Sequence, residues 1–406
     1  MHARITRREF VTRAAVVSGV GAVAPFSFVR RAAATTDLHR FVRQQMHQAV
    51  TPGVAVAVVR GDEVVFATGA GWADIEQGIR ATPDTVFMLA SVSKTVTCAG
   101  IMTLVEDGVV DLDADINRYL PFDVHVPAAP DVQITMRTLL THTSAIRDRW
   151  QIWGTPTSDP TLYFHGDSPI SLGDFCRSYF TVDGSEYRPK QNFFARAPGA
   201  VYTYSNLAVA LAGYVAEWVS GTDFNTLCKQ RILAPLGMSD SGYRLADIHT
   251  TDLAMPYSDK GAFRPIYQYG YPDYPDGALR TSAVHLARWL GAFMNGGSFQ
   301  GDRVLAEATV REIRRNQIPD VVSWRQGLIW FQERTWGFPI LGHDGGDFGE
   351  SARMFFRQDR NVGRRHAHER VSGRTQVARL HGDRAAPLRR LLLTPDSAGS
   401  RCNRSA

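Results

Sequence analysis

Leu89-Ala90-Ser91-Val92-Ser93-Lys94-Thr95 is the stretch on which the reading of this chain turns. Residues 92–107 are apolar around most of a helical circumference, with Val96, Cys98, Ala99, Ile101, Met102, Leu104 and Val105, and Gly108 offers a stop. That pattern predicts a buried helix rather than a surface amphipath. Ser91 and Lys94 are three residues apart, so on a helix they share a face and their side chains can meet. Ser91 stands at the first turn, where free backbone N–H groups favour developing negative charge. A lysine inside such a helix is costly without a role or a partner. Ser91 therefore reads as a nucleophile and Lys94 as its base. Burial is expected to lower the lysine from its usual value of roughly 10.4 towards the roughly 7–8 that suits a general base. Taken alone, a Ser-x-x-Lys spacing has little specificity, because helices often start with Ser. Its weight comes from the rest of the chain.

The 406 residues, 44% hydrophobic and 21% charged, are those of a globular protein with a sizeable core. The first 34 residues read as a targeting segment. Thr6-Arg7-Arg8-Glu9-Phe10-Val11 is a twin-arginine pattern, residues 14–28 are apolar, and Ala32-Ala33-Ala34 fits a cleavage site. Arg30 and Arg31, ahead of that site, fit a twin-arginine signal better than a general secretory one. The expectation is export by the twin-arginine machinery to the periplasm or beyond, with no stable membrane insertion after cleavage. An anchor helix that is never cut is the other reading. The overall charge of +5 comes from the two ends. The signal holds six Arg and one acid, residues 362–406 hold ten Arg and three acids, and the remaining body is net −7. The basic balance therefore implies no nucleic-acid partner. The cysteines at 98, 176, 228 and 402 have no metal spacing. Cys98 falls in the apolar helix, and an exported chain could pair Cys176 with Cys228.

Along the chain, 35–48 reads as a helix. Val54-Ala55-Val56-Ala57-Val58-Val59 and Glu63-Val64-Val65-Phe66-Ala67, joined at Gly61-Asp62, read as a β-hairpin. Helical segments follow at 136–143, 206–220, 224–232, 283–294 and 307–315, and strand-like runs at 327–331, 339–343 and 352–356. Strands early and late with helices between predict an α/β (α+β) domain made of residues 35–119 and 276–361, with a helical domain, 120–275, inserted. The loops around Trp150, Trp153, Tyr163 and Phe164, and around Tyr267, Tyr269, Tyr271 and Tyr274, are unusually aromatic. They either line a pocket for an apolar group or pack long loops down.

Two further motifs complete a pattern. Tyr202-Thr203-Tyr204-Ser205-Asn206 opens the helix at 206, and Leu341-Gly342-His343-Asp344-Gly345-Gly346 ends a strand. With Ser91 and Lys94 these give Ser-x-x-Lys, Tyr-x-Asn and His-x-Gly in order. The sequence thereby resembles the serine β-lactamase and penicillin-binding-protein superfamily, in the branch of class C β-lactamases, D-Ala-D-Ala carboxypeptidases, D-aminopeptidases and related esterases. Leu139-Leu140-Thr141-His142-Thr143-Ser144, Asp276-Gly277-Ala278-Leu279-Arg280-Thr281-Ser282 and Gln326-Gly327-Leu328 also match its habits, and the resemblance covers about residues 36–361. It implies a β-lactamase/transpeptidase-like fold, an antiparallel sheet flanked by helices, with no cofactor or metal.

A serine hydroxyl needs a base within hydrogen-bond reach. Lys94 can serve, and so can Tyr204 as a phenolate where Lys94 stands close enough to favour that form; the sequence leaves both open. Asn206 offers an amide to orient substrate. His343-Asp344-Gly345 at a strand edge lets substrate lie alongside as an extra strand, and Gly345 permits close backbone approach. The resemblance implies that the N–H groups of Ser91 and Gly346 form the oxyanion hole. Without their partners, Tyr204 and Asn206 would be a helix start, His343 a strand residue and His142 structural. No Gly-x-Ser-x-Gly elbow is present, which argues against an α/β-hydrolase. A Lys-Thr-Gly third motif would indicate a β-lactamase, whereas His-Asp-Gly leans towards a peptidase or esterase. Ala145 stands where relatives often carry Gly. The expected activity is hydrolysis of a small ester, amide or D-amino-acid peptide through an acyl-enzyme. The alternative is a penicillin-binding or sensor-like homologue without turnover.

From Val362 the character changes: no Phe, Trp or Tyr follows, although aromatics are 10% of the chain. The resemblance implies a buried last strand and a C-terminal helix here. Arg364-Arg365-His366-Ala367-His368-Glu369-Arg370 does not suit a central strand. Shifting its codons by one base can encode an apolar Val-Val-Met-Leu-like strand. The expectation is a frameshift near Gly363 that leaves the sheet without its last strand and closing helix, 362–406 as a tail without function, and low activity. His366 and His368 in this tail do not read as a metal pair.

Overall fold

Antiparallel strands from both ends of the sequence build the main sheet of the computed structural model. It describes residues 26–156, 158, 161–258, 263–335, 337–357 and 375–380. The chain divides into two compact units, Met1–Arg40 and Phe41–Ala406. Of the targeting segment, residues 1–25 with the twin arginines lie outside the described residues. Helix α1 spans Phe26–Ala49, so the helix predicted from 35 begins nine residues earlier and runs through Ala32-Ala33-Ala34. Among the described residues no helix is long and apolar enough to cross a membrane.

The sheet runs β12-β13-β14-β15-β1-β2-β3. The predicted hairpin is β1 (Gly53–Arg60) and β2 (Glu63–Asp74), turned at Gly61 with φ of +57°; β3 is Ile79–Arg80. The C-terminal strands are β12 (Phe331–Thr335), β13 (Phe338–Asp347), β14 (Glu350–Arg357) and β15 (Thr375–Leu380). Short pairs complete the strands: β4 (Val86–Met88) with β9 (Arg280–Ser282), β5 (Phe164–His165) with β8 (Tyr269–Gly270), β6 (Tyr257–Ser258) with β7 (Arg264–Pro265), and β10 (Ser298–Phe299) with β11 (Asp302–Arg303).

The helices are α2 (Ser93–Glu106), α3 (Met136–Leu140), α4 (Leu172–Phe180), α5 (Pro189–Asn192), α6 (Asn206–Ser220), α7 (Phe224–Cys228), α8 (Ala283–Met294) and α9 (Glu307–Arg314). Helix α8 packs on β1 and β2, and α2 packs on α6. This gives the mixed antiparallel-sheet architecture the sequence implies. Every residue of α2 from Ser93 to Leu104 is buried. Its polar members are bonded: the Trp289 indole N–H donates to Thr95 Oγ1 at 3.1 Å, Thr97 Oγ1 donates to the Pro275 carbonyl at 2.5 Å, and Leu279 N–H donates to Ser93 Oγ at 3.1 Å. Burial without that bonding would be strongly unfavourable.

Two expectations are corrected. The run at 327–331 is apolar because Leu328, Ile329 and Trp330 are fully buried, not because it is a strand. Ile329 is left-handed at φ of +65°, and β12 begins only at Phe331. The second concerns the sheet's expected gap. Strand β15 fills it, pairing with β14 in one direction (Phe355↔Gln376) and with β1 in the other (Val58↔Gln376). The edges of β1 and β14 need backbone partners, and backbone hydrogen bonding makes no demand for an apolar side chain. The Arg-rich stretch itself, the expected closing helix, His366, His368 and Cys402 lie outside the described residues. Cys98, Cys176 and Cys228 are buried and free, so Cys176 and Cys228 are not joined.

Candidate active site

Ser91 sits in a 3₁₀ turn, Ala90–Val92, immediately ahead of α2. Ala90 is left-handed at φ of +47°, a conformation that disfavours a side chain. The turn is clamped by Leu89 N–H donating to the Leu279 carbonyl at 2.8 Å. One helical turn on, the Lys94 ammonium donates to Ser91 Oγ at 3.0 Å and to the Asp276 carbonyl at 2.6 Å. The pairing read from the spacing is thus present, and Lys94 is completely buried.

The lowered lysine pKa is corrected. Burial does push Lys94 down, but Tyr204, Asp276 and Asp148 outweigh it, and its pKa lies above the ordinary lysine value. Lys94 is a cation here, set 5.2 Å from the centre of the Tyr204 ring. These groups lie far from Lys94 in sequence, which is why the run around Ser91 does not reveal them.

Tyr204 and Asn206 are held at the N-terminus of α6, which Ser205 caps by accepting from Ala208 N–H at 3.0 Å. Asp148 is the residue the sequence reading missed. Its carboxylate accepts from Ser205 Oγ at 2.7 Å, from Asn206 N–H at 2.8 Å and from Leu207 N–H at 3.2 Å. It thereby satisfies the free amides of the helix start with negative charge. Flanked by Arg147 and Arg149, it resembles a solvated charge run. Burial raises its pKa, and the bonds to Asn206 and Ser205 oppose that. His142 is also buried and left-handed at φ of +57°. Its Nδ1 accepts from Ser205 N–H at 3.3 Å and its ring lies 4.4 Å from that of Tyr204. Burial and Lys94 hold it well below the usual histidine range. It positions Tyr204, in line with a structural role.

Strand β13 brings His343, Gly345 and Gly346 beside the Ser91 turn. A Cβ on Gly345 would lie 2.3 Å from the Leu89 carbonyl oxygen and 3.0 Å from Ser91 N, so only glycine lets the strand approach this closely. A Cβ on Gly346 would meet nothing within 4 Å, because that residue faces a cavity. His343 is buried, and burial and Lys94 lower its pKa to about 3.

Two cavities meet at Ser91. The larger, about 630 Å³, has walls of Tyr202, Trp324 and Phe331 beside Tyr204 and His343. The smaller, about 60 Å³, is lined by Asn206, Trp150, Trp153, Tyr163, Asp273 and Asp347 among others. Of the two roles the sequence left open, packing of the loops is present: Tyr163 and Tyr269 pack edge to face at 5.3 Å, while Trp150 and Trp153 wall this small cavity beside Asp273, Asp276 and Asp347. Asp273 accepts from the Trp153 indole at 3.0 Å, and burial raises its pKa to about 6. Among the described residues no group of three or more His, Cys, Asp or Glu is placed to hold a metal ion.

The Beta-lactamase family model matches residues 38–364. The chain belongs to the β-lactamase family. Among relatives in this superfamily, the esterase EstB of Burkholderia gladioli is 30% identical over 251 residues, 61% of each chain. The unguisins hydrolase ungD' of Aspergillus campestris is 26% identical over 330 residues, 76% of this chain and 57% of that one. The chain thus spans about three-fifths of the length of these relatives. Among solved structures, a penicillin-binding protein from Bacillus halodurans matches with a TM-score of 0.65 at 21% identity, over 84% of this chain and 95% of that one. The D-amino acid amidase of Ochrobactrum anthropi SV3 matches with a TM-score of 0.63 at 21% identity, over 85% and 91%. These two likenesses establish the fold.

Proposed function

We propose that the protein is an exported serine hydrolase that forms an acyl-enzyme at Ser91 from a small ester, amide or D-amino-acid peptide. The observation that carries this reading is the 3.0 Å contact between Lys94 Nζ and Ser91 Oγ in a buried site. Ser91 Oγ attacks the substrate carbonyl carbon, and its proton passes to the Lys94–Tyr204 pair, whichever member is deprotonated acting as the base. The same pair returns that proton to the departing alcohol or amine as the C–O or C–N bond breaks. Water repeats the sequence on the ester, releasing the acid and Ser91. Ser91 N–H and Gly346 N–H receive the developing oxyanion, where one such donor typically contributes roughly 3–4 kcal/mol. Asn206 and His343 hold the substrate. The esterase and amidase among the similar proteins support a hydrolase, and the Arg7-Arg8 pair supports twin-arginine export.

The test is a chromogenic short-chain ester and a fluorescent penicillin, run side by side with fluorophosphonate labelling. The expected result is ester turnover and labelling, both abolished in Ser91→Ala and reduced by several decades of turnover in Lys94→Ala. Stable penicillin labelling without ester turnover would establish the sensor-like alternative. Full activity in Ser91→Ala would refute the nucleophile.

A further inference from the structure

The larger cavity has an uneven chemistry. Its walls are Tyr202, Trp324 and Phe331, with Tyr202 and Trp324 packed edge to face at 5.3 Å. Its polar members include His343, Asp344 and Glu350, and neither lysine nor arginine lines it among the described residues. Arg353, on the neighbouring strand, pairs with Glu333 and lies 3.3 Å from Asp344, so two carboxylates already face its charge.

His343 sets the polarity. Its Nδ1 lies 2.5 Å from the Asp344 carbonyl oxygen. A carbonyl can only accept, so Nδ1 carries the hydrogen. The ring is neutral, kept so by burial and by Lys94. Its Nε2 is therefore a lone pair, and it is buried with no partner. His343 is only 3% exposed. A buried acceptor of this kind gains from a donor and is destabilised by a second acceptor.

Building on the hydrolase reading, we infer that this cavity admits an uncharged aromatic or alkyl portion of the substrate, whose N–H or O–H donates to His343 Nε2, and that it excludes a carboxylate. A carboxylate there would set lone pair against lone pair at His343 Nε2, beside the Asp344 carboxylate. Like charges brought together in a buried place disfavour binding. Neutral esters and amides are then the substrates, whereas penicillins and peptides with a free C-terminal carboxylate in this cavity are poor ones.

The test uses aryl esters matched except for a para-carboxamide or para-carboxylate, placed in one series on the alcohol half and in another on the acyl half. In the wild-type enzyme, kcat/KM is expected to favour the carboxamide at least about 100-fold in one series. Ser351→Arg, on the cavity wall, and His343→Lys each add a cation and should shrink that ratio at least tenfold, whatever they do to absolute rates. Binding of both members to Ser91→Ala, followed by calorimetry, reads the same preference without turnover. A failed hydrolase and a failed cavity assignment are thereby told apart. A wild-type ratio within threefold in both series would overturn the inference. So would a ratio unmoved in both cation variants.

Discussion

Asp148→Ala removes the acceptor that holds the start of α6, and its consequence can be worked from the three bonds it makes. Hydrogen bonds to a charged acceptor contribute roughly 1.5–3 kcal/mol each, but they are not additive within one cluster. The variant also leaves the Asn206 and Leu207 amides unpaired in a largely buried place. The expected loss is about 3 kcal/mol, a fall in Tm of roughly 5–10 °C. The effect on chemistry is separate. Tyr204 and Asn206 both hang on this helix start, and a displacement of about 1 Å typically lowers turnover by about 100-fold. Asp148→Asn keeps the volume and one accepting oxygen, so it should fall between the variant and the wild type in both measurements. Thermal melts and kcat/KM on a p-nitrophenyl ester check this. An Asp148→Ala protein that melts within 1 °C of wild type and keeps half its activity or more would refute the reasoning.

Gly345→Ala should lower turnover by about 100-fold or more, since the methyl must displace β13 from the Leu89 carbonyl; unchanged kinetics would show that the strand does not approach Ser91 so closely. Asp273→Asn should raise Tm above pH 6, with the gain over wild type closing towards pH 4. The native carboxyl has its folded pKa raised by burial to about 6, so ionising it destabilises the fold only at the higher pH; a gain that grows on acidification would reverse the sign of the argument. Replacing Arg7 and Arg8 with Lys should trap the precursor in the cytoplasm, and normal export of that double variant, followed by cell fractionation, would point to the general secretory route. The nucleotide sequence across codons 360–372 should show an apolar strand in the neighbouring frame; an immediate stop there would end the frameshift proposal.

The elements most legible in the sequence were those with local punctuation. Helix α6 is legible at its observed bounds because an apolar run ends at Gly221, which stands at φ of +63°; the structure adds that Ser205 is its cap. Helix α8 was equally plain. Strand β12 was missed because Gln332, Glu333 and Arg334 carry no strand-like pattern, while the apolar run ahead of it belongs to a buried turn. The site was legible as three motifs because each is short and contiguous. Asp148 and Asp273 were not, since what matters is the distant partner each meets: Asp148 is 57 residues from Ser205, and Asp273 is 120 from Trp153. The same distance explains the lysine. Burial could be foreseen from the helix pattern, but the charges that reverse its effect come from other parts of the chain. Strand β15 is not foreseen because the sequence argument looks for the last strand at residues 364–370, whereas the strand is Thr375–Leu380.

Ala90 has a wider consequence. A non-glycine residue in the left-handed region carries roughly 1 kcal/mol of conformational penalty, and this one adjoins Ser91. Selection for heat resistance alone should therefore find Ala90→Gly readily, since it relieves the turn. The same change would let the nucleophile wander among more backbone states. This chain carries a slightly strained residue beside its nucleophile, where easing the turn would come at the expense of aim.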